Sequence, residues 1–336
     1  MNPDRTIQLE RWLNIDATSG RETAQLQALE TDLGAEGFSV ARHPVPGCDP
    51  LLRWNILATR KSADVVMCTH VDTVPPFLPV KRTEDALWGR GACDTKGALL
   101  AMFEAVNRLT SAEADRVAFL LVVGEETDHC GAAAAREMAL RPTQIILGEP
   151  TRGRVATGQK GILKVALNAQ GVAGHSAFPE TGSSAIQKLL SALGRIEAHA
   201  WPSDPDIGTT TYNIGFIEGG VASNVFAPEA SAEVMFRAVS ETSDLFSTVV
   251  ELCGEDAEAA VVSHAEPQRF NPPAGFETCV VPFNSDAAWL RHLGPVWLAG
   301  PGDIRLAHSV KEHITFDDLD EGAQLYARLI RQALGS

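Results

Sequence analysis

The sequence predicts an α/β fold: a mixed, mostly parallel sheet flanked by helices, interrupted by an inserted α+β segment. Short apolar runs (VVMCT, AFLLVVG, IILG) are rich in β-branched residues and end in turn signals, the pattern of buried strands. Helical periodicity separates them, as in sheets whose strands run parallel. From about residue 158 the texture changes to alternating strands and two helices in the order β-α-β-β-α-β, that of a ferredoxin-like sandwich. A chain of 336 residues is long for one core. Two domains are therefore expected: 1–158 together with 267–336, and an insert at 159–266.

Taken in order, residues 5–13 read as a short amphipathic helix. Ser19 and Glu22 make a Ser-x-x-Glu capping box for a second helix, lined by Leu26, Leu29 and Leu33 and stopped by Gly34. Strands are expected at 38–45, 54–59 and 64–69, with Arg42 and His43 as surface groups. From Lys96 the pattern KGALLAMFEAVNRL is a helix, and another is expected at 131–140. In the insert, ILKVALNAQ, TTTYNIGFIEGG, EASAEVMFRAV and EAAVVSHAE supply strands, with helices at 182–199 and 241–252. PQRFNPPAGF reads as a linker. NSDAAWLRHL then reads as a helix and VWLAGPGDIRLAH as a strand and glycine-rich turn, before a closing helix to Leu334.

Acids and histidines follow several of these runs: His70 and Asp72 after VVMCT, Glu125 and Glu126 after AFLLVVG, Glu149 after IILG, and His308 closing GPGDIRLAH. In parallel sheets, sites form beyond the carboxyl ends of the strands. Imidazole with carboxylate suits zinc or a similar divalent ion. Asp94, in WGRGACDTKG, has the chemistry to bridge two ions, which sit about 3.5–4 Å apart in hydrolytic sites. A single acid after a strand is ordinarily a helix cap or a solvated loop residue. So many placed alike, with few lysines nearby to neutralise them, is the argument for a metal site.

His70 and Asp72 share a face if the segment is extended, so Asp72 can take the imidazole's second N–H and fix its tautomer. The alternative for Asp72 is a turn residue. Glu125 and Glu126 face opposite ways in a straight strand; a turn brings both to one site with different tasks, one on metal and one moving a proton. Sequence alone does not say which is which. Gly89, Gly91 and Gly97 allow backbone to fold closely around Asp94. This is no phosphate loop, since GxGxxG and the Walker lysine are both missing. His129, in ETDHCG, reads as an exposed loop histidine, with a supporting role at the site as the alternative.

HVDTVP, GRGACDTKG, the Glu125–Glu126 pair, GEPT and GPGDIRLAH, in that order and spacing, resemble the M20 family of dinuclear metallopeptidases and deacylases over nearly the whole chain. The GPGDIxxAH ending is most similar to the acetylornithine deacetylase branch. The resemblance implies a discontinuous catalytic domain and an inserted dimerisation, or lid, domain. It implies His70, Asp94, Glu126, Glu149 and His308 as ligands of two divalent ions, zinc or alternatively cobalt, with Asp94 bridging. It makes Asp72 the acid that orients His70 and Glu125 the general base, and it implies a non-proline cis peptide at Asp94–Thr95. His175, in GVAGHSAFP, resembles a histidine lent across a dimer interface to polarise the scissile carbonyl; a loop histidine beside glycine is otherwise a surface residue. Asn224, in ASNVFAP, and Arg237, in VMFRAV, resemble residues that grip the substrate's carboxylate, for which the arginine fork is suited. The alternative for Arg237 is a surface charge. Gly300 and Gly302 let backbone approach the substrate. Asp286 resembles the family's Thr-Asp step, with Ser285 in place of threonine.

The activity implied is hydrolysis of the N-acyl amide of an amino acid, N-acetylornithine foremost, in arginine biosynthesis. N-acetylcitrulline, N-acetyl-lysine, succinyl-diaminopimelate or a dipeptide are the other substrates of this class. An inactive metal-binding protein is the alternative of another class, opposed by the intact Glu125. A serine hydrolase is excluded because GxSxG is missing. The net charge of −15, from 28 basic and 43 acidic residues, argues against nucleic acid or an anionic membrane as partner. A small-molecule substrate and a second copy of the chain are the expected partners. The six cysteines form no CxxC, which fits free thiols in a reducing cytoplasm. MNPDRTIQLERWLNI is charged throughout and lacks the apolar core of a signal peptide, and no apolar run reaches the ~18 residues of a membrane span.

Overall fold

The structure, a computed structural model, describes residues 3–335. The chain divides into two compact units: Met1–Thr157 with Phe270–Cys279 and Ser285–Ser336, and Gly158–Arg269 with Val280–Asn284. Residues 158, 267–269 and 280–284, read from the sequence as part of the outer segments, group instead with the insert.

In the first unit a six-stranded sheet runs in spatial order Ser39–Pro44, Trp54–Thr59, Val117–Val122, Val65–His70, Gln144–Leu147, Val296–Leu298. The last four are mutually parallel, and the first two add an antiparallel edge. Val65–His70 sits between parallel neighbours because every one of its residues is buried, as a strand covered on both faces requires. Its register decides what meets at its end. His70 pairs with Val122, and Cys68 with Leu147. Continuing that register puts Glu149 level with His70 on one side, while Glu125 and Glu126 follow Val122 on the other.

Helices Pro3–Leu13, Lys96–Asn107 and Phe316–Leu334 flank the sheet and pack on one another. Trp12 meets Phe103 edge to face at 5.4 Å. The closing helix buries Leu319, Ala323, Tyr326 and Ile330 along one stripe, and Thr315 with Asp318 forms its capping box. The Nζ of Lys96 is buried against the carbonyls of Trp12 and Ile15, at 2.9 and 3.0 Å, which ties the first helix to the start of Lys96–Asn107.

The expected Ser19–Glu22 capping box does not form. The second helix is Thr23–Ala35, and Glu22 before it makes no side-chain cap. Ser19 Oγ donates to Asp72 Oδ2 at 2.7 Å, and Glu22 is buried in an ion pair with Arg53 at 2.7 Å. A buried carboxylate is a stronger acceptor for a hydroxyl than a helix N–H is a donor to it. The helix also runs through Gly34 and ends where Gly37, at φ 83°, returns its N–H to the Gly34 carbonyl. The helices expected at 131–140 and over NSDAAWLRHL are only Cys130–Ala135 and Ala287–Leu290.

The second unit has a four-stranded antiparallel sheet in the order Thr211–Gly219, Glu229–Ala238, Gly161–Gln170, Glu258–Ala265. Helices Ala185–Ala198 and Thr242–Cys253 pack against it. This is the ferredoxin-like topology. Alternate residues of Gly161–Gln170 are buried, and Leu163, Val165, Leu167, Leu189, Phe236, Leu245 and Val249 join one core. Among the described residues no helix is long and apolar enough to cross a membrane. All six cysteines are free thiols.

Candidate metal centre

Three strand ends of the first unit, the loop before Lys96–Asn107 and the turn after Ile304–Leu306 bring the five expected ligands together, with Asp94 common to two groups. His70, Asp94 and Glu149 offer ligand atoms within 4.8 Å of one another, and so do Asp94, Glu126 and His308. His70 Nε2 lies 3.1 Å from Asp94 Oδ1, and His308 Nε2 lies 3.3 Å from Asp94 Oδ2 and 3.0 Å from Glu126 Oε2. Two ligands on one ion with bonds near 2.1 Å sit about 3.4 Å apart in tetrahedral geometry, so these spacings fit the edges of two coordination shells that share Asp94. Glu149 Oε1 is buried with no hydrogen-bond partner. Such an atom is costly unless something positive meets it. The donor set is imidazole and carboxylate, which suits zinc or a neighbouring divalent metal and does not choose among them.

A model of peptidase family M20/M25/M40 matches residues 66–332, most of the chain and the whole of this cluster. The chain belongs to peptidase family M20. It is a metal-dependent amide hydrolase. A peptidase M20 domain-containing protein of Schizosaccharomyces pombe is 33% identical, with 97% of this chain and 84% of that protein aligned. A protein of Aspergillus terreus named a probable carboxypeptidase is likewise 33% identical, over 96% of this chain and 84% of its own. A crystal structure of a tripeptidase from Staphylococcus aureus shares the fold, with a TM-score of 0.85, 20% identity and full coverage of both chains.

In this M20 hydrolase the supports of the ligands differ in detail from the sequence reading. Nδ1 of His70 meets the backbone carbonyl of Asp72 at 2.9 Å, while the Asp72 carboxylate stands off at 3.6 Å. The carbonyl therefore holds the imidazole N–H, leaving Nε2 to face Asp94. The Asp72 carboxylate accepts the N–H groups of Glu125 and Glu126, each at 3.2 Å, and the Ser19 hydroxyl. Asp72 thus shapes the turn that carries the acid pair. The Asp94–Thr95 peptide is cis, and the Thr95 hydroxyl bonds the His70 carbonyl at 2.9 Å and the Thr69 hydroxyl at 2.7 Å.

Glu312 escaped the sequence reading. Its Oε1 accepts the N–H groups of Gly91, Cys93 and Asp94 at 2.8, 3.3 and 3.3 Å, and its Oε2 pairs with buried Arg90 at 2.5 Å. It gathers the backbone of the loop that presents Asp94. The available signal was an acid four residues beyond His308 and an arginine four before Asp94. Gly302 has φ 81°, and a Cβ there would meet Cys93 Sγ at 2.7 Å. The positive φ and the packing against Cys93 both call for glycine there.

The electrostatics are those of a crowded acid cluster. Burial foremost, then the carboxylates of Glu149, Asp286 and Glu126 against the pull of His70, hold Glu125 well above the usual carboxylate range. Burial and Asp94 raise Glu126, and burial, Asp94 and Asp286 raise Glu149. Asp94 goes the other way: burial opposes its charge, but hydrogen bonds from His308 and His70 hold it well below that range. His308 is pushed up to about 10 by Asp94 and Glu126. His129, expected as an exposed loop residue, is mostly covered and bonds Asp286 at 2.9 Å.

The three residues expected from the insert lie in the second unit. His175 is exposed, and its backbone bridges Val225. Its Nδ1 accepts the Ala177 N–H at 3.2 Å, while the Asn224 carbonyl accepts the Ser176 N–H at 3.0 Å, so His175 and Asn224 are neighbours. Arg237, on Glu229–Ala238, is half-buried, and burial lowers its pKa.

Proposed function

We propose that this M20 hydrolase cleaves the amide joining an acyl group to an amino acid whose α-carboxylate is free. The observation that carries the reading is the pair of ligand groups sharing Asp94, with Glu125 outside both yet near enough to feel the charges of His70, Glu149 and Glu126. His70, Asp94 and Glu149 would hold one divalent ion, and Asp94, Glu126 and His308 the second. Ions at such positions polarise a carbonyl and lower the pKa of bound water toward about 7.

Glu125 takes the proton from the attacking water and later delivers it to the leaving amine. Burial favours its protonated form, which helps it take a proton from water. Asp72 keeps Glu125 and Glu126 pointing to different tasks by fixing their backbone. His175 donates to the carbonyl oxygen as negative charge develops there. Arg237 and Asn224 grip the α-carboxylate; no hydrogen bond or ion pair from a described residue occupies the Arg237 guanidinium, which supports that role. A homodimer in which His175 serves the partner's site is part of this reading. The exposed apolar side chains Ile214, Phe216 and Ile217 on the outer strand of the second unit favour it.

N-acetylornithine is the narrower reading, from the GPGDIRLAH ending. The relative named a probable carboxypeptidase favours a peptide with a free C-terminus. Both place the carboxylate next to the scissile amide. The deciding experiment presents zinc- or cobalt-loaded protein with N-acetylornithine, other N-acyl amino acids, dipeptides and tripeptides, and the C-terminal amide of each, and follows free amine. Substrates with a free carboxylate should be cleaved and their amides spared. Equal cleavage of the amides would overturn the carboxylate requirement.

A further inference from the structure

His129 has neighbours that the chemistry above leaves unused. Its Nδ1 lies 2.9 Å from Asp286 Oδ1 and 3.8 Å from Glu125 Oε1. Its ring stacks on Trp289, with centroids 4.0 Å apart and planes 21° from parallel. Asp286 is fully buried, and its Oδ2 has no hydrogen-bond partner. The backbone at His129 is left-handed, φ 56°, because the turn closes on the Gly124 carbonyl, which accepts the N–H groups of Thr127, Asp128 and His129. Glycine adopts that conformation freely; a side chain there is strained unless something anchors it. Here Asp286 and the face of Trp289 anchor the imidazole.

The consequence falls on Glu125. The ligand atoms of Glu125, His129 and Asp286 all lie within 4.8 Å of one another. Two carboxylates that close repel, and among the described residues no hydrogen bond holds the Glu125 carboxyl. An imidazole that bonds one carboxylate and stands at ion-pair distance from the other offsets that repulsion and confines Glu125. We propose that His129, anchored by Asp286 and Trp289, is a positioning residue for Glu125, holding its carboxyl in reach of the ligand cluster around Asp94. This rests on the reading of Glu125 as the base.

The test uses the full chain loaded with zinc and whichever N-acyl amino acid or dipeptide the unaltered protein cleaves fastest. His129→Phe keeps a ring on Trp289 and removes the N–H. His129→Asn returns a donor near Nδ1 without the ring. A reacting group displaced by about 1 Å costs about 10²-fold in rate. His129→Phe should lose kcat on that order with KM little changed and both ions bound, and His129→Asn should recover most of the loss. Unchanged kcat in His129→Phe, equal losses in both variants, or a third zinc in the unaltered protein that His129→Phe lacks would each overturn the proposal. Should His129→Phe fail to fold, Trp289→Leu replaces it, since it frees the imidazole and spares every acid. An undiminished kcat there overturns the proposal equally. Glu125→Gln run in parallel separates the two readings: if it still turns over, the base assignment fails, whereas if it is inactive while His129→Phe is fully active, only the positioning role fails.

Discussion

Glu125 and Glu126 share a turn and a residue type, yet their surroundings divide them. Glu126 meets His308 at 3.0 Å, while the nearest histidine contact of Glu125 is His129 at 3.8 Å. Glu125→Gln is isosteric and leaves both ligand groups intact, so it should bind two ions yet lose about 10²–10⁴-fold in kcat; rate assays with metal analysis on one preparation check this. Gly302→Ala should destabilise the fold by more than about 1 kcal/mol, since alanine is strained at φ 81° and its Cβ meets Cys93 Sγ. Denaturant unfolding measures it, and a stability equal to the unaltered protein's would show that the loop relaxes. The acid pair was visible in the sequence, but the task of each member was not, because adjacent residues separate only when the turn's geometry is known. Asp72 shows the same limit. Its spacing from His70 pointed to the imidazole, which its carboxylate faces at 3.6 Å, and the folded turn adds the N–H groups of Glu125 and Glu126 as its donors.

The loop from Gly89 to Thr95 is an element with little internal hydrogen bonding of its own, and Glu312 supplies what it lacks. Replacing Glu312 by Gln leaves Arg90 buried without its charge partner, and breaking a buried pair costs about 3–5 kcal/mol. Glu312→Gln should therefore lower thermal stability and weaken metal affinity together, read by calorimetry and zinc titration. A stability loss with affinity intact would show that the loop keeps its shape alone. Elements with strong periodicity were legible: Lys96–Asn107 begins where the pattern KGALLAMFEAVNRL begins. Local signals that compete with a buried charge were not, as Ser19 demonstrates. Its hydroxyl matched a capping box in sequence, and Asp72, 53 residues away, claims it.

Across the whole molecule the acid cluster sets the response to metal and to pH. Chelation removes the positive charge that its carboxylates face, so the melting temperature should fall when ions are stripped and recover with zinc. In the stripped protein Glu125, Glu126 and Glu149 are held above their ordinary value of 4.5 by burial and by one another. The folded state then binds more protons than the unfolded chain above that pH, and stability falls as pH rises. His308, raised from 6.5 to about 10 by Asp94 and Glu126, works in the same direction over that interval; Asp94, held low, opposes it only in acid, and Lys96, lowered to about 7 by burial, opposes it above that pH but is one group against several. Stripped protein should accordingly melt higher near pH 6 than near pH 8.5, and loaded protein should respond less. Oligomeric function has its own assay. Mixing His175→Ala chains with Glu125→Gln chains should restore activity if His175 serves a neighbouring copy, and no restoration would confine it to its own chain. Motif order was enough to name the family and the identities of the ligand candidates, because strand-end chemistry leaves its mark in short local patterns. Which nitrogen faces Asp94, what Asp72 holds, and that Glu312 and His129 belong to the site at all came only with the fold. Those facts depend on contacts between segments from 24 residues apart, for His70 and Asp94, to 221, for Gly91 and Glu312, which no local pattern encodes.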